Sequence, residues 1–291
     1  MKDLKSYNES LITDSLQGEV MVTWLGTAGM HISDGKSSFF IDPFVSRYSL
    51  PRVFGGLKLA CRGEVVAEWI DRCGGQKAAA VIISHSHYDH CLDAPAFAAQ
   101  TGAFLAGSEA TAWVGRSEGL PEEQIRVFEP GDSLDIGDFS IAFIESRHGP
   151  AVLGRIPFPG TIKETFKVPA PATKYKLGTT FSLYIKHPAG TMIHHGSAGN
   201  LLGMYDGLTA DVMFLGIGGR GNTREYVRDV PETVSPSMLI PVHFDDMFTP
   251  LDKKFGFLPR IKLAEFIETA GELLTETEIR TLPVGKQVAV L

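Results

Sequence analysis

The chain has 291 residues, 44% of them hydrophobic and 21% charged, the balance of an ordinary globular protein long enough for a sizeable core. Lys and Arg total 27 against 34 Asp and Glu, a net charge of −7, which argues against a nucleic-acid partner and against a polybasic membrane anchor. Three cysteines (Cys61, Cys73, Cys91) build no disulfide framework, the N-terminus lacks the apolar stretch of a secretory signal, and no run reaches the ~18 apolar residues of a membrane span, so the expected location is the cytoplasm.

Segments 20–25 (VMVTWL), 30–32 and 38–41 (SFFI) are short and β-branched or aromatic, with Gly26, Gly29 and Gly35 between them, and predict consecutive antiparallel strands. Residues 64–73 carry Val65, Val66, Trp69 and Ile70 at helical spacing and stop at Gly74-Gly75. Residues 78–83 (AAAVII) predict a buried strand. A helix should start near Asp93 as N-cap, with Pro95 in its first turn. Strands are expected at 103–106, 125–128 and 139–145, and a helix at 108–117. Residues 149–176 hold Pro150, Pro157, Pro159, Pro169 and Pro171 without a period. Strands are then expected at 179–186, 191–194, 212–217 and 238–243, a helix at 260–269, and short strands at the C-terminus. Strand meanders in both halves, each followed by helices, predict two packed sheets with helices outside, an α/β fold in αββα layers forming one domain over 1–291.

The chemistry-bearing stretch is Ser84-His85-Ser86-His87-Tyr88-Asp89-His90, between a buried strand and a helix. On extended backbone, side chains two apart share a side, so His85 and His87 converge on one ion. Asp89 and His90 are adjacent, diverge as the chain turns into the helix, and suit a second ion. A chance placement of three His and one Asp within six positions, from nine His in all, is the weaker explanation.

This H-x-H-x-D-H run resembles the signature of the metallo-β-lactamase superfamily. The likeness extends over residues 20–250: Thr23-Trp24-Leu25-Gly26-Thr27-Ala28-Gly29 and Ile41-Asp42-Pro43 before the signature, then His148, the segment His194-His195-Gly196-Ser197-Ala198-Gly199, and Pro241-Val242-His243-Phe244. In style the opening and closing motifs are most similar to the UlaG-like branch. The resemblance implies a four-layer αββα sandwich. It implies a first ion on His85, His87 and His148 and a second on Asp89, His90 and His243. Where most hydrolases of the superfamily have a bridging Asp, the aligned residue is Ser197, a poor ligand, which leaves one or two ions open. Zn²⁺ is the expected metal, with Mn²⁺ or Fe as alternatives.

The resemblance further implies a metal-dependent hydrolase that uses a metal-bound hydroxide on a small ester, lactone or phosphodiester. Asp89 would orient the water and pass a proton, and Asp42 would fix a ligand His from behind. His194 or His195 is a candidate for the cleft. The competing readings are an iron-dependent oxidoreductase of the same superfamily and a non-catalytic binding protein with a degenerate site. Residues 216–222 (GIGGRGN) form a candidate anion nest with Arg220, suiting an anionic small-molecule substrate. Residues 149–176, with Phe158, Phe166, Tyr175, Lys163 and Lys167, would cover the site or make a homo-oligomer contact. His31 and His187 are expected to be surface or structural residues, and Cys91 to pack.

Overall fold

The computed structural model describes residues 1–13 and 18–291. Its first half carries strands β1 (Met21–Trp24), β2 (Met30–Ser33), β3 (Ser38–Ile41), β4 (Lys58–Leu59), β5 (Ala80–Ile82), β6 (Phe104–Gly107) and β7 (Ile125–Val127). The second half adds β8 (Ser133–Ile136), β9 (Phe139–Glu145), β10 (Ala170–Pro171), β11 (Phe181–His187), β12 (Gly190–His195), β13 (Val212–Gly216), β14 (Met238–Val242), β15 (Glu278–Ile279) and β16 (Gln287–Ala289). Nine α-helices among the described residues are α1 (Lys2–Glu9), α2 (Leu50–Phe54), α3 (Gly63–Cys73), α4 (Tyr88–Cys91), α5 (Ala94–Thr101), α6 (Glu109–Ser117), α7 (Thr223–Asp229), α8 (Pro231–Val234) and α9 (Leu263–Leu273). None of them is long and apolar enough to cross a membrane.

Two seven-stranded sheets form the two inner layers, in the orders β16-β1-β2-β3-β5-β6-β7 and β15-β14-β13-β12-β11-β9-β8. The first starts as the expected antiparallel meander and turns parallel from β3 onward. The second is antiparallel through β8, β9, β11 and β12 and parallel from β12 to β15. Period-two alternation divides the apolar side chains. Phe39, Ile41, Ala80 and Ile82 enter the cluster between the sheets, whereas Phe40, Val81 and Ile83 enter a second cluster shared with Trp69, Phe97 and Val114 of the outer helices. Phe39 and Phe139 meet edge-on across the seam with centroids 5.2 Å apart. This is the expected αββα sandwich.

Several local expectations need correction. Asp93 stands at the N-cap of its helix with Pro95 in the first turn, as expected, but its carboxylate makes no capping bond: Oδ2 accepts from the Val45 and Ser46 N–H groups at 2.7 Å instead. The last long helix runs 263–273 rather than 260–269. Helix α1 and strand β8 were not foreseen, because each is short and weakly patterned. His31 is a structural residue, as expected: it is buried against Phe40, without a hydrogen-bond partner among the described residues, and burial takes its pKa down to about 4.

One buried ion pair ties three segments together beside the future site. Arg47 Nη2 donates to Asp245 Oδ2 at 2.6 Å, with both side chains almost fully buried. Asp245 Oδ1 accepts from Thr27 N–H at 2.7 Å, and Arg47 Nη1 donates to the Asp246 carbonyl at 2.9 Å. Gly26 (φ 78°) must be glycine here, since any side chain would collide with the Arg47 guanidinium. Arg47→Met leaves the Asp245 charge buried and unpaired. We expect a loss of about 3–5 kcal/mol in stability, read by equilibrium urea unfolding.

Candidate metal centre

The parallel portions of both sheets point their carboxyl ends the same way, where open α/β sheets place ligands. Asp42 follows β3, the 84–90 segment follows β5, His148 follows β9, Ser197 follows β12, Gly218 follows β13 and His243 follows β14. All of these loops meet at one cavity of about 480 Å³.

The local backbone does what the signature spacing requires. His87 is extended (φ −61°, ψ 153°) and is the N-cap of α4, so His85 and His87 lie on extended chain while Asp89 and His90 sit in the helical turn. The rings of His85, His87 and His148 form a near-equilateral triangle, with centroids 4.8, 4.9 and 4.8 Å apart. The second cluster gathers Asp89, His90 and His243. Asp89 Oδ2 stands 3.2 Å from His243 Nε2 and 3.8 Å from His90 Nε2. Within each cluster the potential ligand atoms lie within 4.8 Å of one another. His148 is steadied by a bridge to Ala198. His243 adopts left-handed backbone (φ 57°), and its N–H donates to the Thr27 carbonyl at 2.8 Å. Thr27 and Asp42 are also left-handed (φ 46° and 44°), so backbone strain gathers at this end of the sandwich.

The hydrogen-bond pattern turns imidazole nitrogens toward one another's centre. His90 Nδ1 donates to Asp42 Oδ2 at 2.8 Å, and His148 Nδ1 donates to the Gly149 carbonyl at 2.6 Å. Ser84 Oγ donates to Asp42 Oδ2 at 2.5 Å, so it is free to accept from His85 Nδ1 at 3.1 Å. In the neutral rings each Nε2 is then left as a lone pair. Nε2 of His85, His87 and His90 is buried with no partner among the described residues. Orphaned buried nitrogens are costly unless something occupies the space between them, and a divalent ion fits that donor set.

Electrostatics separates the clusters. Burial, with the neighbouring rings of His90, His87 and His148, holds His85 well below the ordinary imidazole value. Burial takes His87 down to about 3 and His148 to about 4. Burial also opposes a charge on His90, yet Asp42 and Asp89 outweigh it and raise its pKa. Burial alone would raise Asp89, but His90 and His243 hold its carboxyl well below the usual range.

Other sequence candidates fall elsewhere. His194 does not reach the cleft: its ring is fully buried and its Nε2 meets the Ala28 carbonyl at 2.8 Å. His195 is buried as well, between the Tyr205 hydroxyl and the Gly199 carbonyl, both at 2.8 Å. Ser197 lines the cavity but donates its hydroxyl to the Arg147 carbonyl at 3.1 Å. Arg220 is not a free anion ligand, since its guanidinium is committed to the carbonyls of Ile217, Ile261 and Lys262. In the 149–176 segment, Pro157 and Phe158 line the cavity, Tyr175 is buried in the helix-side core, and Lys163 and Lys167 are exposed and do not line it. Residues missed from sequence are Ser84, whose only signal is its place directly before the signature, and the cavity walls Leu50, Phe54, Met247, Phe248 and Arg260, which carry no motif.

A third group, Asp34, Asp138 and His187, lies within ligand distance at another end of the fold. There the Ala189 N–H donates to His187 Nδ1 at 3.1 Å, which places the ring proton on Nε2, facing Asp34. His187 Nε2 and Asp34 Oδ2 are both buried without a hydrogen-bond partner among the described residues, 3.6 Å apart, but a ring proton on Nε2 leaves no lone pair there for an ion.

Comparison with known proteins gives the following. A family model described as β-lactamase superfamily domain matches residues 21–243. A UPF0173 metal-dependent hydrolase of Rhizobium leguminosarum is 30% identical over 131 residues, 45% of this chain and 48% of that protein. The chain thus spans about half the length of the curated relatives it matches. Among solved structures, the metallo hydrolase Igni18 of Ignicoccus hospitalis aligns over 92% of this chain and 97% of its own, with a TM-score of 0.59 and 17% identity. An isothiocyanate hydrolase from Delia radicum gut bacteria aligns over 92% and 98%, with a TM-score of 0.58 and 18% identity. At these identities the structural likeness speaks to the fold.

Two outcomes test the centre itself. Asp42→Ala removes the partner of both Ser84 and His90, and zinc affinity should fall about 10–100-fold. Ser197→Ala should leave zinc affinity unchanged, because the hydroxyl faces a carbonyl; equilibrium dialysis reads both. Zinc titrated into the metal-free protein should release more protons as the pH is lowered toward 6, because the flanking carboxylates raise the pKa of His90, whereas His85, His87 and His148 are held low by burial and have none to lose. Calorimetry in buffers of different ionisation enthalpy reads that release.

Proposed function

From its membership of the metallo-β-lactamase superfamily, to which this chain belongs, we propose that it is a metal-dependent hydrolase of a small ester, lactone or phosphodiester. The observation that carries the reading is the grouping of unpaired, buried imidazole nitrogens with Asp89 beside a cavity that His87, Asp89, His148 and His243 line. Lactones are included because the opening and closing motifs resemble the UlaG-like branch. Three unpaired cysteines suit a reducing, cytoplasmic setting.

His85, His87 and His148 would hold one ion, and Asp89, His90 and His243 a second. Three imidazoles favour Zn²⁺, and the carboxylate-bearing cluster also suits Mn²⁺ or Fe. When bound, such an ion acidifies a coordinated water and polarises the bond under attack. The chain's own residues do the rest. Asp89 is ionised, so it accepts a hydrogen bond and orients the attacking water. Asp42 and Ser84 hold the rings of His90 and His85 in one tautomer. Phe158 stands over His87, with ring centroids 6.2 Å apart, and screens that side from solvent. Ser197 offers no carboxylate to join the two clusters.

The test is metal content joined to turnover. Protein purified without chelator should hold about two ions per chain, one per donor cluster. His87→Ala should retain the fold by circular dichroism and lose ester, lactone or phosphodiester hydrolysis by about a thousandfold, the several kcal/mol that a metal centre supplies. Full activity in that variant, or iron together with oxygen uptake, overturns the hydrolase reading.

A further inference from the structure

The walls of the cavity carry an argument about the substrate itself. One wall is built by Leu50 and Phe54 of α2, by Met247 and Phe248 after the final ligand, and by Leu258. Across from it, Pro157 and Phe158 come from the 149–176 segment. Phe158 holds left-handed backbone (φ 40°), rare for a bulky residue, and its carbonyl is pinned by Leu177 N–H at 3.0 Å. Strain that presents an aromatic ring to a metal-ligand histidine is the mark of a ligand clamp.

The apolar wall continues onto the surface. Phe54 is 51% exposed and Leu50 44%, and Phe54 faces Phe248 with centroids 6.2 Å apart. Leu57, Leu153 and Ile156 are also exposed, and they lie in the same two bordering segments. Five of the nine large exposed apolar residues of the described chain therefore fall in segments 50–57 and 153–156. A soluble protein keeps such a concentration only where something apolar lies against it. The cavity, at about 480 Å³, is of the size that takes a drug-sized ligand, and an acetyl-sized substrate would leave most of it to water.

We infer that the substrate carries an apolar arm, a medium-length alkyl or acyl chain, which runs from the donor clusters between Phe158 and Phe248 to Phe54 and Leu50. This deepens the hydrolase reading and rests on it for what happens at the metal end. The arm itself rests on the walls alone. Recognition by those walls is non-directional, so affinity should rise smoothly with chain length rather than switch on at one shape.

The test is binding first, turnover second. The zinc-supplemented protein is titrated with acetate, butyrate, hexanoate and octanoate. The dissociation constant should fall with length, up to about fourfold per methylene, the limit for full burial. Phe54→Ala and Phe248→Ala should each weaken octanoate about tenfold and weaken shorter chains progressively less. Equal affinity for acetate and octanoate overturns the inference, and so does undiminished length dependence in both variants. Hydrolysis of p-nitrophenyl acetate and octanoate separates the two readings. Length-dependent binding without turnover of either ester, nor of a lactone or phosphodiester bearing the same octyl arm, sinks the hydrolase and keeps the arm. Equal turnover of both esters with flat carboxylate binding sinks the arm and keeps the hydrolase.

Discussion

One carboxylate holds the functional end of this molecule in place. Asp42 is fully buried at the end of β3, and its two oxygens accept three hydrogen bonds, from Ser84 N–H, Ser84 Oγ–H and His90 Nδ1. A carboxylate taken out of water is costly unless it is paired, and hydrogen bonds to the charged form are about twice as strong as neutral ones. Those bonds fasten the end of β3 to the end of β5. They also set the rotation of His90 directly and of His85 through Ser84. The left-handed backbone at Asp42 is tolerated because so much of its surroundings agrees on its position.

A second charge works the same way one layer out. Asp245 follows His243 by two residues and is clamped by Arg47 and by Thr27 N–H. His243 is therefore attached to a segment that cannot drift from β1 or from the chain after β3. The result is an uneven proton distribution inside a small volume. Three imidazoles are kept neutral by burial and by one another, while His90 is kept basic by the two carboxylates at its sides.

The first donor run was legible because its information is local. Six consecutive positions, a preceding apolar strand and a following N-cap are enough to foresee which side chains share a side. His148 and His243 were legible only through likeness to a family, since nothing within reach of either residue in sequence says that they meet. His194 shows the opposite failure: its place beside the turn after β12 suggested the cleft, but the ring is fully buried and donates to the Ala28 carbonyl. Asp93 and Arg220 fail for one shared reason. Residue type announces a charge, but not whether that charge is already spent on backbone groups 40 or more residues away. The cavity walls were invisible because Leu50, Phe54, Met247 and Phe248 are ordinary apolar residues until the loops are brought together.

Each donor cluster straddles the seam between the sheets. His85, His87, Asp89 and His90 hang from the first, whereas His148 and His243 hang from the second. The spacing of the donors is thus inherited from the thickness of the interior, which edge-on pairs such as Phe39 and Phe139 set. Close-packed interiors transmit strain rather than absorb it, so the hydrophobic filling works as a gauge block for the spacing of the two donor clusters. The aromatic pairs deep in the seam bear on the spacing of the donor clusters as much as the loops that carry them, and the two halves of the chain are not free to change their interior volumes independently.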